Sequence, residues 1–289
     1  MPLPTSIGDL LAAGGPLVLP GVWDALSARL AEQAGFHAMF LSGFATSVTR
    51  LGRPDVGLLT QTEVLDTARH VCAAVACPVV VDADTGYGNA FNVERTVDEL
   101  LRAGAAGCFL EDQAWPKRCG HMRGKRVVPL DEYLPKLRAA LRVRAGTPFH
   151  VTARTDARAA IGLDEALARA TAFADAGADA VFVEAPESIE EMARIRERLP
   201  REVTLVANMV EGGRTPLRPA AELAAAGFHL VVVPVAGLLA AAHGLQAVYG
   251  ALRRDGTTTA AAGTMLGFDA VNDVVGLEAY YAREREWAG

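Results

Sequence analysis

Four segments of the chain repeat one pattern of apolar and polar positions. They are AGFHAMFLSG (34–43), AGAAGCFLED (103–112), AGADAVFVEA (176–185) and AGFHLVVVPV (226–235). In each, a helical pattern stops at Ala-Gly, a short turn follows, and an apolar run closes on a polar or special residue. Gly35, Gly104, Gly177 and Gly227 stand where a helix C-terminus needs left-handed backbone. The runs behind them are continuously apolar, as in parallel strands covered on both faces. Four more short apolar runs alternate with these, in PLVLPGVWD (16–24), CPVVVDADTGYG (77–88), FHVTARTDA (149–157) and VTLVANMVEGG (203–213). The pattern predicts eight strands near 17–20, 38–42, 78–82, 107–111, 150–154, 180–184, 203–208 and 230–234. Helical periodicity fills Ala25–Ala34, Val93–Ala103, Leu163–Ala176 and Pro219–Ala226 between them.

Eight βα units in sequence predict a (β/α)8 TIM-type barrel in one domain spanning 1–289. No GxGxxG follows the first run, which counts against a dinucleotide-binding sheet. Beyond Thr257 the pattern breaks and ends in an acidic, weakly amphipathic tail, so a hinge and a helical segment are expected there.

Composition narrows the class further. The 289 residues are 51% hydrophobic and 21% charged, with 28 Gly and a net charge of −6. The longest apolar stretch, Leu230 to Ala242, carries Pro234 and Gly237 and is too short to span a bilayer. The start, MPLPTSIGDLL, shows no basic region ahead of an apolar run, so a secretory leader is not expected. Basic residues form no long stripe, so nucleic acid is not an expected partner. Four cysteines without a CxxC pair argue against a disulfide scaffold or zinc, and the expected compartment is a reducing cytoplasm.

Chemistry gathers at one end of the predicted barrel. The strand C-termini carry Ser42 and Gly43, Asp82 and Asp84, Glu111 and Asp112, Arg154 and Asp156, Glu184, and Asn208. That is the end where βα loops build active sites. Asp82 and Asp84, two apart at a strand exit, are expected to face the mouth together, with Glu111 on the neighbouring strand and Asp55 in LGRPDVG. Converging carboxylates repel unless a cation neutralises them, and oxygen-rich sites suit Mg²⁺. The bland alternative is that one aspartate caps the following turn or helix.

The run EDQAWPKRCGHMRGKR (111–126) adds Lys117, Arg118, His121, Arg123, Lys125 and Arg126 around Cys119. Such a run is often a solvated surface loop. Here Gly120 and Gly124 predict a flexible lid over an anionic substrate, and the cations predict a thiol shifted toward thiolate. Cys72, Cys77 and Cys108 read as small buried hydrophobes. His37, His70, His150, His229 and His243 lack ligand spacing and read as surface or satisfied core residues. Asp24, after Trp23, reads as a helix N-cap.

SGFATS (42–47), LGRPDVG (51–57), DADTGYGN (82–89), EDQ (111–113), KRCGH (117–121), ARTDA (153–157) and ANMVEGGRTP (207–216) resemble the isocitrate lyase / phosphoenolpyruvate mutase superfamily. They follow the order of that family over most of residues 20–240. The resemblance implies a barrel whose C-terminal helices, here within 257–289, are exchanged between subunits, in a dimer of helix-swapped dimers. It implies Mg²⁺, with Mn²⁺ as a substitute, bound by Asp82, Asp84, Glu111 and Asp55, directly or through water. Ser42, Gly43 and Phe44 would hold the carboxylate of a 2-oxo acid. Arg154 would stabilise developing charge, and Cys119 would be the acid/base. His121, Glu184 and Asn208, with Gly120 in the same loop, would line the leaving-group pocket, and Lys117 would assist at the gate.

The implied activity is Mg²⁺-dependent lyase cleavage of a small anionic 2-hydroxy dicarboxylate to pyruvate or another 2-oxo acid. Hydrolysis or decarboxylation of oxaloacetate, or P–C bond chemistry on a phosphonopyruvate-type substrate, would use the same platform. A non-catalytic barrel is a third reading, against which the intact motifs stand. Phe40, Phe44 and Ala236 replace the Tyr, Gly and Ser of methylisocitrate-cleaving members. Trp115, SGFATS and CGHMRGK are closer to alkylmalate-cleaving ones.

Overall fold

The structure, a computed structural model, describes residues 6–289. Residues 1–5, on which the expectation about a leader partly rests, lie outside the described residues. Among the described residues, eight parallel strands close in sequence order into a barrel: β1 (Leu17–Val22), β2 (Met39–Leu41), β3 (Val79–Asp82), β4 (Gly107–Glu111), β5 (His150–Thr155), β6 (Ala180–Val183), β7 (Thr204–Asn208) and β8 (Leu230–Val233). β8 returns to β1 with Leu17 paired to Leu230 and Pro20 to Val233.

Each predicted strand is present to within two residues. The predicted helices appear as α2 (Ala25–Gln33), α5 (Ala90–Arg102), α8 (Leu163–Asp175) and α10 (Ala220–Ala225). Gly35, Gly104, Gly177 and Gly227 follow their C-termini with φ of 89, 85, 92 and 86°, a backbone that L side chains rarely adopt. The remaining helices are α1 (Ile7–Ala12), α3 (Gly43–Thr46), α4 (Gln61–Ala74), α6 (Leu130–Val143), α7 (Ala157–Ala160), α9 (Ile189–Arg198), α11 (Ala236–Asp255), α12 (Phe268–Val275) and α13 (Leu277–Ala288). Asp24 caps α2, its side chain accepting from the Ser27 amide while Ser27 returns a bond to the cap backbone.

Two apolar cores result from strands buried on both faces. One lies outside the strands, beneath the helices; the other fills the barrel with residues such as Leu19, Val80, Phe182 and Leu230. Fully buried Ile7, from α1, packs into this inner core with Leu10 and Leu11 of the same helix. Phe40, Phe109 and Phe182 stack through it, with ring centroids 4.9 and 5.8 Å apart, and their upper edges floor the cavity at the other end.

The outer wall of β8 and β1 is left open. Val18, Pro20, Trp23, Leu30, Phe36 and Val233 line a gap of about 560 Å³ there. α11 begins at this wall but buries only Leu238 and Ala251 along its 20 residues. It ends at Gly256 (φ 69°), close to the predicted break at Thr257. α12 then returns to α2, where Arg29 donates to the Val274 carbonyl at 3.4 Å, and α13 buries no residue. No helix of the described residues is long and apolar enough to cross a membrane.

Candidate active site

A cavity of about 220 Å³ opens at the C-terminal end of the barrel. Its lining includes Ser42, Phe44, Asp55, Asp82, Glu111, Lys117, Cys119, Gly120, His121, Arg154, Glu184 and Asn208. Twelve of the fourteen residues to which the family resemblance gives a site role thus meet in one place. The other two lie directly behind it. A Cβ on Gly43 would fall 2.8 Å from Asp82 Oδ2. Asp84 is buried, with Lys117 Nζ 2.5 Å from its Oδ1.

Asp82 and Asp84 therefore do not line the mouth side by side. β3 ends at Asp82, and Asp84 has φ of 49°, so strand alternation no longer sets its direction. The Asp84 amide donates to Asp82 Oδ1 at 3.2 Å, and Tyr87 Oη donates to Asp84 Oδ2 at 3.2 Å. Helix capping falls to Asn89 instead, which leaves both aspartates available for other work.

Acid outweighs base in this space. Asp55, Asp82, Asp84, Glu111, Asp156 and Glu184 face three buried cations, Lys117, Lys125 and Arg154, with the exposed Arg118 also at the lining. Burial pushes the Asp84 carboxyl up to about 7; Asp82 and Asp55 add to the rise while Lys117 opposes it. Burial likewise drives Glu111 well above the usual carboxylate range against the pull of Arg154. Glu111 Oε1 is buried with no hydrogen-bond partner. Lys117 Nζ stands between Asp55 (2.6 Å) and Asp84 (2.5 Å), and among the described residues no three acidic, His or Cys side chains are gathered as a ready cage. A surplus of buried hard oxygen donors, one of them unpartnered, still fits a divalent cation of the Mg²⁺ type.

Arg154, on β5, is gripped from two sides. Asp156 takes its Nε at 2.9 Å and Nη2 at 3.1 Å, and Glu184 takes Nη2 at 3.1 Å. Nη1 makes no hydrogen bond or ion pair among the described residues. Arg154 and Lys125 keep Asp156 ionised despite its burial. Asn208 donates to both oxygens of Glu184, and His121 Nε2 stands 3.4 Å from Oε1. His121 Nδ1 accepts the Arg214 amide at 3.0 Å, which leaves the ring proton on Nε2, toward Glu184.

Lys117 and Lys125 of the basic run are seated at the cavity, whereas Arg118, Arg123 and Arg126 are exposed. Lys117 and Lys125 are 3% and 7% exposed. Gln113 clasps both the amide and carbonyl of Arg118, and the Cys119 amide donates to the Asp55 carbonyl at 3.2 Å. Seating alters Cys119: burial pushes its thiol up to about 11, against the thiolate expected from the flanking cations. The cations surround Cys119 in sequence, but Lys117 and Lys125 spend their charge on aspartates. Elsewhere Cys108 is buried as expected, whereas Cys72 and Cys77 are only partly buried. His150 is buried with Nε2 unpartnered, so it is not a satisfied core residue.

Residues the sequence did not single out complete the pocket. Met122, Val210, Val235 and Leu239 join Phe44 as apolar lining. Asp156 and Lys125 anchor Arg154 and the loop. In the sequence Asp156 stands out as a strand-end residue within ARTDA and Lys125 as one of the loop cations, but neither is marked there as an anchor.

The profile of the phosphoenolpyruvate phosphomutase family matches residues 7–253. The chain belongs to this family. It is 45% identical to the 2,3-dimethylmalate lyase of Eubacterium barkeri, over 97% of this chain and 96% of that one. It is also 45% identical to the chloroplastic carboxyvinyl-carboxyphosphonate phosphorylmutase of Arabidopsis thaliana, over 98% and 84%. Among solved structures, a 2,3-dimethylmalate lyase described as a PEP mutase/isocitrate lyase superfamily member superposes with a TM-score of 0.91 at 35% identity, covering 97% of this chain and 93% of that one. An oxaloacetate acetylhydrolase bound to 3,3-difluorooxalacetate gives 0.90 at 35%, covering 95% and 93%. A phosphonopyruvate hydrolase complexed with oxalate and Mg²⁺ gives 0.86 at 30%, covering 96% of each. The barrel and the superfamily expected from the motifs are thereby established.

Proposed function

We propose that this phosphoenolpyruvate phosphomutase family member is a Mg²⁺-dependent lyase that cleaves the C2–C3 bond of an alkyl-substituted malate or similar 2-hydroxy dicarboxylate. The observation that carries the reading is the place of Cys119 in the cavity lining beside the Arg154–Glu184 pair, where burial pushes its thiol up to about 11. A group that keeps its proton at neutral pH suits the acid this reaction needs.

In this reading Ser42 and the first-turn amides of Gly43 and Phe44 receive the carboxylate of the 2-oxo acid half. The Ser42 oxygen accepts from the Ala45 amide, which leaves its hydroxyl proton for the ligand. Helix first-turn amides have no acceptor within their helix, so they too are available. Asp82, Asp84, Glu111 and Asp55 would hold Mg²⁺ or Mn²⁺, directly or through water. When bound, the cation supplies positive charge to the substrate's 2-hydroxyl and carboxylate oxygens. One of these carboxylates removes the hydroxyl proton. The C2–C3 bond then breaks, and its electron pair leaves with the departing fragment as an aci-carboxylate. Arg154 meets that charge, and Cys119 Sγ–H delivers its proton to the fragment's carbon.

His121, Glu184 and Asn208 would orient this leaving half, and Lys117 would tie the gate to the acidic group. The apolar side formed by Phe44, Met122, Val210, Val235 and Leu239 favours an alkyl-bearing acid over one with a further carboxylate. Kinship with an oxaloacetate acetylhydrolase and with phosphonate enzymes supports a second reading, oxaloacetate or P–C chemistry in the same small cavity.

One panel separates these readings: alkylmalates, methylisocitrate, oxaloacetate and phosphonopyruvate, each assayed for pyruvate or oxalate release with Mg²⁺. Preference for oxaloacetate or phosphonopyruvate would overturn the lyase assignment. Failure of every substrate with Mg²⁺ still bound would favour the non-catalytic barrel.

We further propose one domain over 1–289 whose segment 257–289 is exchanged with a partner copy. The open wall of β8 and β1 and the exposed Phe268, Tyr280 and Trp287 support this. Four free thiols support a reducing, cytoplasmic setting.

A further inference from the structure

The loop bearing Cys119 is tied to the barrel at several points, and one of them differs from the rest. Lys117 pins the near limb to Asp55 and Asp84, the same carboxylates proposed to take the cation. His121 joins the tip to another loop, through the Arg214 amide. Lys125 pins the far limb. Its Nζ donates to the Gly120 carbonyl and, at 2.6 Å, to Asp156 Oδ1. The side chain is 1% exposed.

Asp156 itself belongs to the barrel. Its amide donates to Asp112 Oδ1 at 2.9 Å, and Asp112 Oδ2 accepts from Thr155 at 2.6 Å and from Arg169 at 3.0 Å. Its carboxylate holds Arg154 at Nε and Nη2. Asp156 thus receives Arg154 from the strand and Lys125 from the loop on one carboxylate. An ammonium buried without such partners would be strongly disfavoured. Lys125 therefore has a dry, charge-paired position only when Gly120 lies against Arg154 and Glu184.

We propose that Lys125 is a positioning residue that latches the Cys119 loop shut, so that seating the loop and setting Arg154 through Asp156 are one event. The latch does not use the metal-site carboxylates, and so holds whether or not the cation is bound. It rests on the reading that this loop closes over the reacting substrate.

Alkylation of Cys119 by iodoacetamide, followed by peptide mass spectrometry at fixed pH, tests the latch. Cys108, in the wall of β4, is the internal control for global loosening. A hydrogen bond to a charged group sets local opening by roughly 10- to 100-fold. Lys125→Met is expected to accelerate Cys119 modification by that factor and leave Cys108 unchanged. Lys125→Gln, which keeps a donor for Gly120 but no charge, is expected to give a smaller acceleration and serves if the Met variant does not fold. An unchanged Cys119 rate in the folded variants, or equal acceleration at Cys119 and Cys108, would overturn the proposal. Turnover plays no part in this readout, so absence of lyase activity would count against the function and not against the latch.

Discussion

Gly120 lies so close to Glu184 that a Cβ built on it would stand 2.2 Å from the carboxylate Oε2, and 2.7 Å from Arg154 Nη2. A side chain at residue 120 would have to displace the buried Glu184 and Arg154 or lift the loop from its seat. Gly120→Ala is expected to keep the loop about an ångström off its seat, and such a displacement lowers turnover by about 100-fold. Steady-state kinetics on the preferred substrate, with thermal unfolding alongside, checks this. A near-native kcat/KM would show that seating is not needed.

Cys119→Ser keeps a small polar group but replaces the proposed acid with a much weaker one. Turnover is expected to drop by at least roughly 100-fold, the usual contribution of a positioned acid. Calorimetric binding of Mg²⁺ and oxalate should be nearly unaltered, because Cys119 is not among the residues proposed to hold them. Undiminished turnover would remove Cys119 from the reaction.

Chelation should abolish activity, and Mg²⁺ or Mn²⁺ should restore it. Asp84→Asn is expected to weaken Mg²⁺ binding in a direct titration, since the buried acidic surplus is what the cation offsets. Equal Mg²⁺ affinity in native and variant chains would place the cation elsewhere.

Burial pushes His150 down to about 4, with Asp179 opposing and Arg144 adding to the drop. The unfolded chain takes up this proton near the ordinary histidine value of about 6.5, while the folded chain refuses it until near pH 4. Stability from this group is therefore complete above pH 6.5 and lost as pH falls toward 4, by up to roughly 3 kcal/mol. Denaturant midpoints between pH 7 and 4.5 should fall less steeply for His150→Gln than for the native chain.

Phe268 and Trp287 are 83% and 81% exposed on helices that bury little of their own surface. If they enter a partner copy, Phe268→Asp with Trp287→Asp should lower the mass measured by light scattering to that of smaller species. A native chain already monomeric would refute the exchange.

Alternation of apolar runs with Ala-Gly helix ends was enough to read the barrel, because doubly buried strands and left-handed C-caps leave strong local marks. The residues ending those strands were legible for the same reason: a (β/α)8 barrel carries its strand C-termini to one face. Asp84 and Cys119 show where that reading stops. Asp84 leaves strand geometry at a positive φ and turns toward Lys117. Cys119, flanked by cations in sequence, is pushed toward its protonated form by burial, while Lys117 and Lys125 reach past it to Asp55, Asp84 and Asp156.

Strand order, the chemical end of the barrel and the residue types meeting there were all readable along the chain. Each follows from local periodicity and from position relative to a strand end. Which charges pair, how burial shifts a side chain's proton affinity, and the meeting of Gly120, Lys125 and Asp156 emerge only once the chain is folded. Those properties depend on distances of a few ångströms between residues tens of positions apart, and desolvation amplifies them in ways that no local pattern records.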